Sequence, residues 1–376
     1  MIPRNEIYRR STDYFLDPVR PLLTDPGVSE VLINGGAVYY ERAGRLHPWP
    51  ESFGSEELLR AAAVNIAEYV DRPLDDDHPA ADARLPDGSR VHLILPPLSR
   101  QGICISIRKF PEVSFTLDRL KEGGSLTDQA AEFLELAVLL RKNIAIAGGT
   151  GTGKTSLLNA LSGCIPEHER IIVIEDSSEL KLHQPHTVYL EAQPAQPGGR
   201  DAVTIRELFA HSLRMRPDRI IVGEVRRGEA LDMLQAMIAG HSGALTTVHA
   251  ASPRAAAARL EMLSMQSDVA LPASVARAQV AQAIDLVVQI VRDHDGTRRI
   301  TRITELVDVD PDGEYRFRDI FRFASAGRTG DGHLLGNLQW TGTPPSFAVE
   351  LHEQGYAAQT RLCESMFAES DHDNSD

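Results

Sequence analysis

The spacing of apolar residues changes character near residue 127. Beyond it, short unbroken apolar runs alternate with segments of helical period. Ile144-Ala145-Ile146-Ala147, Ile171-Ile172-Val173-Ile174 and Ile220-Ile221-Val222 read as strands buried on both faces, as in a parallel sheet. Ala244-Leu245-Thr246-Thr247-Val248-His249 is a further strand ending in a polar side chain. The intervening helices have clear start signals. One runs from Thr127 to Arg141, with Ala130, Phe133, Leu134, Ala137 and Val138 on its apolar face. Thr204-Ile205-Arg206-Glu207 is a capping box, Glu229 to Ala239 is helical and stops at Gly240, and Ser252-Pro253 opens the helix Arg254–Leu263. Alternating strand and helix predict an α/β domain. Residues 285–291 and 299–307 then pair as a hairpin around Asp295-Gly296, and Asp310-Pro311-Asp312-Gly313 turns into Tyr315-Arg316-Phe317-Arg318.

Before residue 111 the pattern is that of hairpins. Val28, Val31 and Ile33 lead to the turn Asn34-Gly35, and Ala37–Arg42 returns. A helix starts from Ser55, with Leu58, Leu59, Ala62, Ala63, Ile66, Ala67 and Val70 on one face. Asp87-Gly88 turns between two strands that carry Arg84 and Arg90, and a third strand, Gly102 to Phe110, carries Arg108 near its end. The predicted organisation is an extension (1–11), a small α+β domain (12–110), a linker (111–126) and an α/β domain with C-terminal hairpins (127–350). A C-terminal tail (351–376) follows, partly disordered, its acidic end running from Glu369 to Asp376. Gln193–Arg200, rich in Pro and Gly, is expected to be a mobile loop.

The chemistry centres on the strand–turn–helix junction Gly148-Gly149-Thr150-Gly151-Thr152-Gly153-Lys154-Thr155-Ser156, which fits the phosphate-binding loop. Glycines let the backbone curl until several N–H groups face one anion, and the helix start adds its positive end. Lys154 would reach the β- and γ-phosphates, and the Thr155 hydroxyl would ligate Mg²⁺. Three predicted strands end in Glu175-Asp176, Glu224 and His249, at the sheet edge where open α/β folds bind ligands. Thr155, Glu224 and Asp176 are therefore the Mg²⁺ candidates. Glu175 is the first candidate for polarising the attacking water, and the two glutamates can exchange roles. His249 reads either as a γ-phosphate sensor or as a hydrogen-bonded structural histidine. A transition-state cation must come from elsewhere, and Arg84, Arg90 and Arg108 are the candidates. Arg226 reads as a partner to a neighbouring acid.

Composition narrows the setting. The 376 residues are 42 % hydrophobic and 24 % charged, ordinary for a globular chain. No apolar run approaches the ~20 residues of a membrane span, and Met1–Glu6 lacks a signal core, so a cytoplasmic protein is expected. Cys104, Cys164 and Cys363 lie too far apart for a zinc site or a disulfide framework. A net charge of −14 counts against a nucleic-acid substrate.

Four blocks, in this order and spacing, resemble those of the traffic ATPases of type II and type IV secretion. They are the phosphate loop, the Asp box Ile174–Leu180, the atypical Walker B Arg216–Arg226 and the His box Gly240–Ala250. Val31–Gly35, Arg84–Arg90 and Asp319-Ile320-Phe321 look like the CpaF/TadA-like motor of tight-adherence (Flp) pili within that superfamily. The resemblance spans about residues 12–350. It implies a RecA-like P-loop NTPase domain preceded by a smaller α+β domain, with ATP and Mg²⁺ as cofactors. It further implies a homo-hexameric ring with nucleotide between the two domains and N-terminal arginines completing the site. Such rings drive pilus assembly or protein secretion through an inner-membrane platform protein, to which a cytoplasmic motor attaches peripherally. Arg227 stands where the branch more often has a small residue, and the cysteine–metal insertion of the general secretory branch is absent. The alternatives are a conjugation or type IV secretion ATPase, a nucleic-acid translocase, or a nucleotide-binding regulator that hydrolyses little.

Overall fold

The protein is described by a computed structural model covering residues 4–42, 44–109, 115–193, 195, 201–330 and 332–367. It divides into two compact units, Met1–Val113 and Ser114–Asp376. Most of the loop Gln193–Arg200 and the acidic end from Glu369 lie outside the described residues.

The first unit is an α+β domain. Helices α1 (Arg4–Phe15) and α2 (Arg20–Thr24) precede strands β1 (Val28–Asn34), β2 (Ala37–Arg42) and β3 (Arg45–Trp49). Helix α3 (Glu56–Tyr69) is followed by β4 (Ala80–Arg84), β5 (Arg90–Ile94) and β6 (Cys104–Arg108). The strands form one antiparallel sheet in the order β3-β2-β1-β6-β5-β4. Its hairpin turns need positive φ, supplied by Gly35 (59°) and Gly88 (92°). Ser55 Oγ accepts from Leu58 N at 3.3 Å to cap α3. The predicted apolar face holds at Leu59, Ala62, Ala63, Ile66 and Ala67, but Leu58 is exposed.

Residues 4–24, expected as an extension and a polar segment, are mostly helical. Leu16, Val19 and Leu22 are buried in the core of this unit, and the prolines between them occupy first-turn positions where a missing N–H costs nothing.

The second unit is a RecA-like α/β domain. In chain order it contains α4 (Leu117–Glu122), α5 (Asp128–Leu139), β7 (Ile144–Gly148), α6 (Lys154–Ser162), β8 (Ile171–Glu175) and β9 (Thr187–Glu191). Next come α7 (Ile205–Ser212), β10 (Arg219–Val222), α8 (Glu229–Ile238), β11 (Leu245–His249), α9 (Pro253–Ser264) and α10 (Ala273–Ala283). The unit ends with β12 (Leu286–Arg292), β13 (Arg298–Val309), β14 (Tyr315–Arg328), β15 (Leu334–Trp340) and α11 (Ala348–Glu353). Among the described residues the sheet order is β15-β14-β13-β12-β7-β11-β10-β8-β9. Pairing is parallel from β12 to β9 and antiparallel from β12 to β15.

Each central strand is buried on both faces because it divides its residues between two cores. Ile144 and Ile146 pack with Phe133, Leu134, Leu157, Leu158 and Leu161 of α5 and α6. Ala145 and Ala147 pack with residues of α7 to α10, among them Phe209, Leu234, Leu260 and Val280. Residues 351–367, expected to begin the tail, are bound to the first of these cores, where Leu351, Cys363, Met366 and Phe367 are buried. The expected linker contains α4, whose Leu120 joins the same core. All three cysteines are free. No helix among the described residues is long and apolar enough to cross a membrane.

Polar groups at the N-terminal edge of this sheet tie its strands together. Asn143 Oδ1 accepts from Gly243 N and Ala244 N, and its Nδ2 donates to Ala283 O, tying β7 to the segments before β11 and β12. Arg219, at the start of β10, is completely buried. Its Nε lies 2.6 Å from Glu169 Oε2, and its Nη2 donates to Val138 O at 2.9 Å. Burial pushes Glu169 up, but Arg219 and Arg141 outweigh it and hold the carboxyl below its usual value. Arg219→Leu strands part of that charge and should lower the unfolding free energy by about 3 kcal/mol. Urea denaturation should also show that adding Glu169→Gln recovers part of the loss. A single variant as stable as wild type would remove this pair from the core account.

Candidate active site

The phosphate loop sits where β7 meets α6, at the carboxyl edge of the sheet. Its shape is forced by crowding. A Cβ on Gly148 would lie 2.5 Å from Thr152 Oγ1 and 2.7 Å from the Ile290 carbonyl oxygen, so only glycine fits. Thr152 Oγ1 donates to Gly149 O at 3.0 Å, closing the loop on itself. Gly153, at φ 96°, turns the chain into α6, and Lys154 and Thr155 open that helix. The curl places Thr150, Gly151 and Ser156 in the same turn-and-helix start. Lys154 is buried to 7 % exposure, and its Nζ donates to Gly149 O at 2.9 Å.

The predicted strand-end groups converge beside this lysine through a chain of charges. Lys154 Nζ lies 3.4 Å from His249 Nε2, which is 3.1 Å from Glu224 Oε1. Glu224 Oε2 accepts from Arg226 Nη2 at 2.9 Å, and Arg226 Nη1 reaches Asp176 Oδ2 at 2.8 Å. Arg226 is thus the partner of two neighbouring acids, and the Glu224 hydrogen bond raises its pKa. Asp176 enters the cluster through that guanidinium. Glu175 ends β8. It is buried, and its Oε1 accepts from Glu179 N and Leu180 N at 2.8 and 3.0 Å. Gly223 lets it pass, since a Cβ there would be 3.0 Å from Glu175 Cγ.

Several supporting groups were not legible beforehand. Thr247 Oγ1 donates to Gly223 O at 2.7 Å, fixing the peptide before Glu224. Buried Glu229 accepts from Arg226 N and Arg227 N through one oxygen, holding the turn that carries Arg226. On the other flank of β7, Arg298 Nε donates to Gly151 O at 3.0 Å, and Arg292 Nη1 lies 3.6 Å from the Cβ position of Gly151. Both arginines fall just outside the strands read from the sequence, and apolar periodicity does not reveal that β12 is the neighbour of β7.

An oxygen donor set of hydroxyl, carboxylate and water suits Mg²⁺. Thr155 and Glu224 offer the protein part of such a set. Among the described residues no three His, Cys, Asp or Glu side chains form a metal cluster. In the first unit, strand register sets Arg84 beside Arg90 and Arg90 beside Arg108, so the three candidate arginines stand in one row at a sheet end. Arg108 Nε is 4.0 Å from Glu30 Oε1.

His249 is pushed below its ordinary value of 6.5, by burial first and then by the Lys154 charge, with Glu224 opposing. The unfolded chain therefore takes up this proton before the folded one as pH falls. The stabilisation linked to neutral His249 is complete above pH 6.5 and is lost progressively below it. His249→Gln should flatten the fall of the melting temperature between about pH 7.5 and about pH 5.5. Parallel curves for variant and wild type would show that the histidine is not held neutral.

Comparison with known proteins agrees with this architecture. The family model described as type II/IV secretion system protein matches residues 15–332. The type IV secretion system protein PtlH of Bordetella pertussis is 37 % identical over 308 residues, covering 75 % of this chain and 91 % of PtlH. The type IV secretion system protein VirB11 of Brucella suis is 34 % identical over 318 residues, covering 77 % and 88 % respectively. The solved structure of the Legionella pneumophila ATPase DotB superposes with a TM-score of 0.54 at 20 % identity, over 80 % of this chain and 81 % of that one, a likeness of fold.

Proposed function

From the premise that this chain belongs to the type II/IV secretion system protein family and is a secretion ATPase, we propose that it is a Mg²⁺-dependent motor working as a homo-hexamer. The observation that carries the catalytic reading is the unbroken path from Lys154 through His249 and Glu224 to Arg226 and Asp176, beside a phosphate loop. ATP is the substrate. Backbone N–H groups from Gly149 to Thr155 cradle its phosphates, with Lys154 exchanging its Gly149 carbonyl contact for phosphate oxygens. Thr155 and Glu224 would hold Mg²⁺, with Asp176 behind them through Arg226. When bound, the ion supplies charge neutralisation on the β- and γ-oxygens.

Glu175 orients the attacking water. Its two backbone hydrogen bonds fix the carboxylate, so little reorganisation is needed at the moment of reaction. His249 links the γ-phosphate position to Glu224. Loss of that phosphate would therefore be felt at the Walker B acid and, through Arg226, at the Asp box. Arg84, Arg90 and Arg108 are the candidates for the transition-state cation.

The expected setting is the cytoplasmic side of an inner membrane, reached through a platform protein. The names of the relatives PtlH and VirB11 favour export through a type IV secretion machine. The tight-adherence branch rests on Val31–Gly35 and Arg84–Arg90 of the sequence. A net charge of −14 stands against a nucleic-acid translocase.

Lys154→Ala should cut steady-state ATP turnover at least about a hundredfold while leaving the thermal transition in place. Undiminished turnover would sink the site assignment. Turnover per subunit, followed against protein concentration with particle mass recorded in the same samples, should rise as a six-fold particle forms. A stable monomer with concentration-independent turnover would overturn the ring.

A further inference from the structure

We propose that Arg292 and Arg298 are nucleotide-positioning residues that hold the α-phosphate end of the substrate, opposite the catalytic carboxylates. This rests on the nucleotide-site reading above.

The sheet order sets the direction. β7 carries the loop between β11 on one flank and β12 on the other. The strand-end groups assigned to the terminal phosphoryl, His249, Glu224 and Glu175, lie on the β11 flank, at the ends of or just beyond β11, β10 and β8. The γ-phosphate therefore points that way, and the α-phosphate and sugar leave the loop over β12. That strand ends in Arg292, half-buried beside Gly151, and β13 begins with Arg298.

The two arginines act differently. Arg298 Nε binds the Gly151 carbonyl at 3.0 Å, and its Cδ would lie 3.3 Å from a Cβ on Gly153. A trans peptide points its C=O and the following N–H in opposite directions. Holding the Gly151 carbonyl outward thus turns Thr152 N–H inward, toward the anion. Arg292 Nη1 lies 3.6 Å from the Gly151 Cβ position, and its planar guanidinium would exchange present contacts for two phosphate oxygens, as Lys154 exchanges its carbonyl.

The hairpin that carries them is braced. Asp293 N donates to Thr297 O and Thr297 N to Asp295 Oδ1, both at 2.8 Å. The turn after β14 meets it from above, with His333 Nδ1 2.8 Å from Asp295 Oδ2 and Arg328 Nη2 3.3 Å from Asp293 Oδ1. Asp293 and Asp295 thus tie the hairpin to the turn after β14, and the arginines sit on a fixed frame.

The α-phosphate is common to ADP and ATP, which separates this role from one at the γ-phosphate. The test is equilibrium binding of fluorescent ADP and of a non-hydrolysable fluorescent ATP analogue to the full chain. Arg292→Ala should weaken both ligands by the same factor, about tenfold. Arg298→Ala should do likewise, and Arg298→Lys, which can still donate to the Gly151 carbonyl, should recover most of the loss. Melting temperatures within about 2 °C of wild type would show that the variants are folded. Arg292→Gln serves should the alanine variant fail to fold. Unchanged binding of both ligands, or a penalty confined to the triphosphate, overturns the proposal and leaves the nucleotide site standing. Failure of the wild-type chain to bind either ligand overturns the nucleotide site and the proposal with it.

Discussion

The close passage of β7 against β12 is the constraint on which the rest of the second unit depends. The Ile290 carbonyl stands where a Cβ on residue 148 would have to go, so the chain leaves β7 as bare backbone. Thr152 then folds back on Gly149, and α6 starts only after the left-handed Gly153. A loop curled this tightly gathers N–H dipoles that repel one another unless an anion or cation-anchored carbonyls balance them. Lys154 on Gly149 O and Arg298 on Gly151 O do that balancing in the chain itself. Phosphate binding is thus an exchange of partners around a preset backbone, not the creation of a new conformation.

The same order of strands distributes charge. Glu175, Asp176 and Glu224 lie on one side of β7 with Arg226 among them, and Arg292 and Arg298 lie on the other. Glu224 lies between neutral His249 and cationic Arg226. A change at His249 alters the charge that Glu224 feels, and Arg226 transmits it to Asp176 over contacts of about 3 Å. Each member has a rigid element behind it, with Thr247 on the Gly223 carbonyl and Glu229 on two N–H groups.

Much of this was legible in the sequence, for identifiable reasons. β7, β8 and β10 carry unbroken apolar runs because a strand covered on both faces has no solvent side to mark with polar residues. β9 escaped notice because it is an edge strand, with Tyr189 exposed and none of its residues buried. α10 is rich in alanine and buries only Ala276, Val280 and Ala283, too faint a stripe to read. The packing of 351–367 rests on irregularly spaced Leu351, Cys363, Met366 and Phe367, whose common feature is the Phe133 surface they cover. In the site, residue types and strand ends were legible, whereas partnerships were not. Nothing in the string of letters ties Arg226 to Asp176 fifty positions away or brings Arg292 to Gly151.

One block shows how a single segment serves both edges of the sheet. Within Arg216–Arg226, Arg219 is a buried structural cation, and the block ends with Glu224, the proposed Walker B acid, and its guanidinium partner Arg226. Arg219 is aimed at Glu169 and the Val138 carbonyl at the bottom of β10, so its charge is spent on holding the sheet together. Four residues of strand rise about 13 Å, which carries the chain from that locked edge to the edge where Gly223 opens space for Glu175 and Glu224 meets His249. A substitution at the lower end would weaken the frame, and one at the upper end would alter chemistry on an intact frame. The two kinds of arginine in this block are therefore separable by stability measurements alone, although both read as charge beside an apolar run.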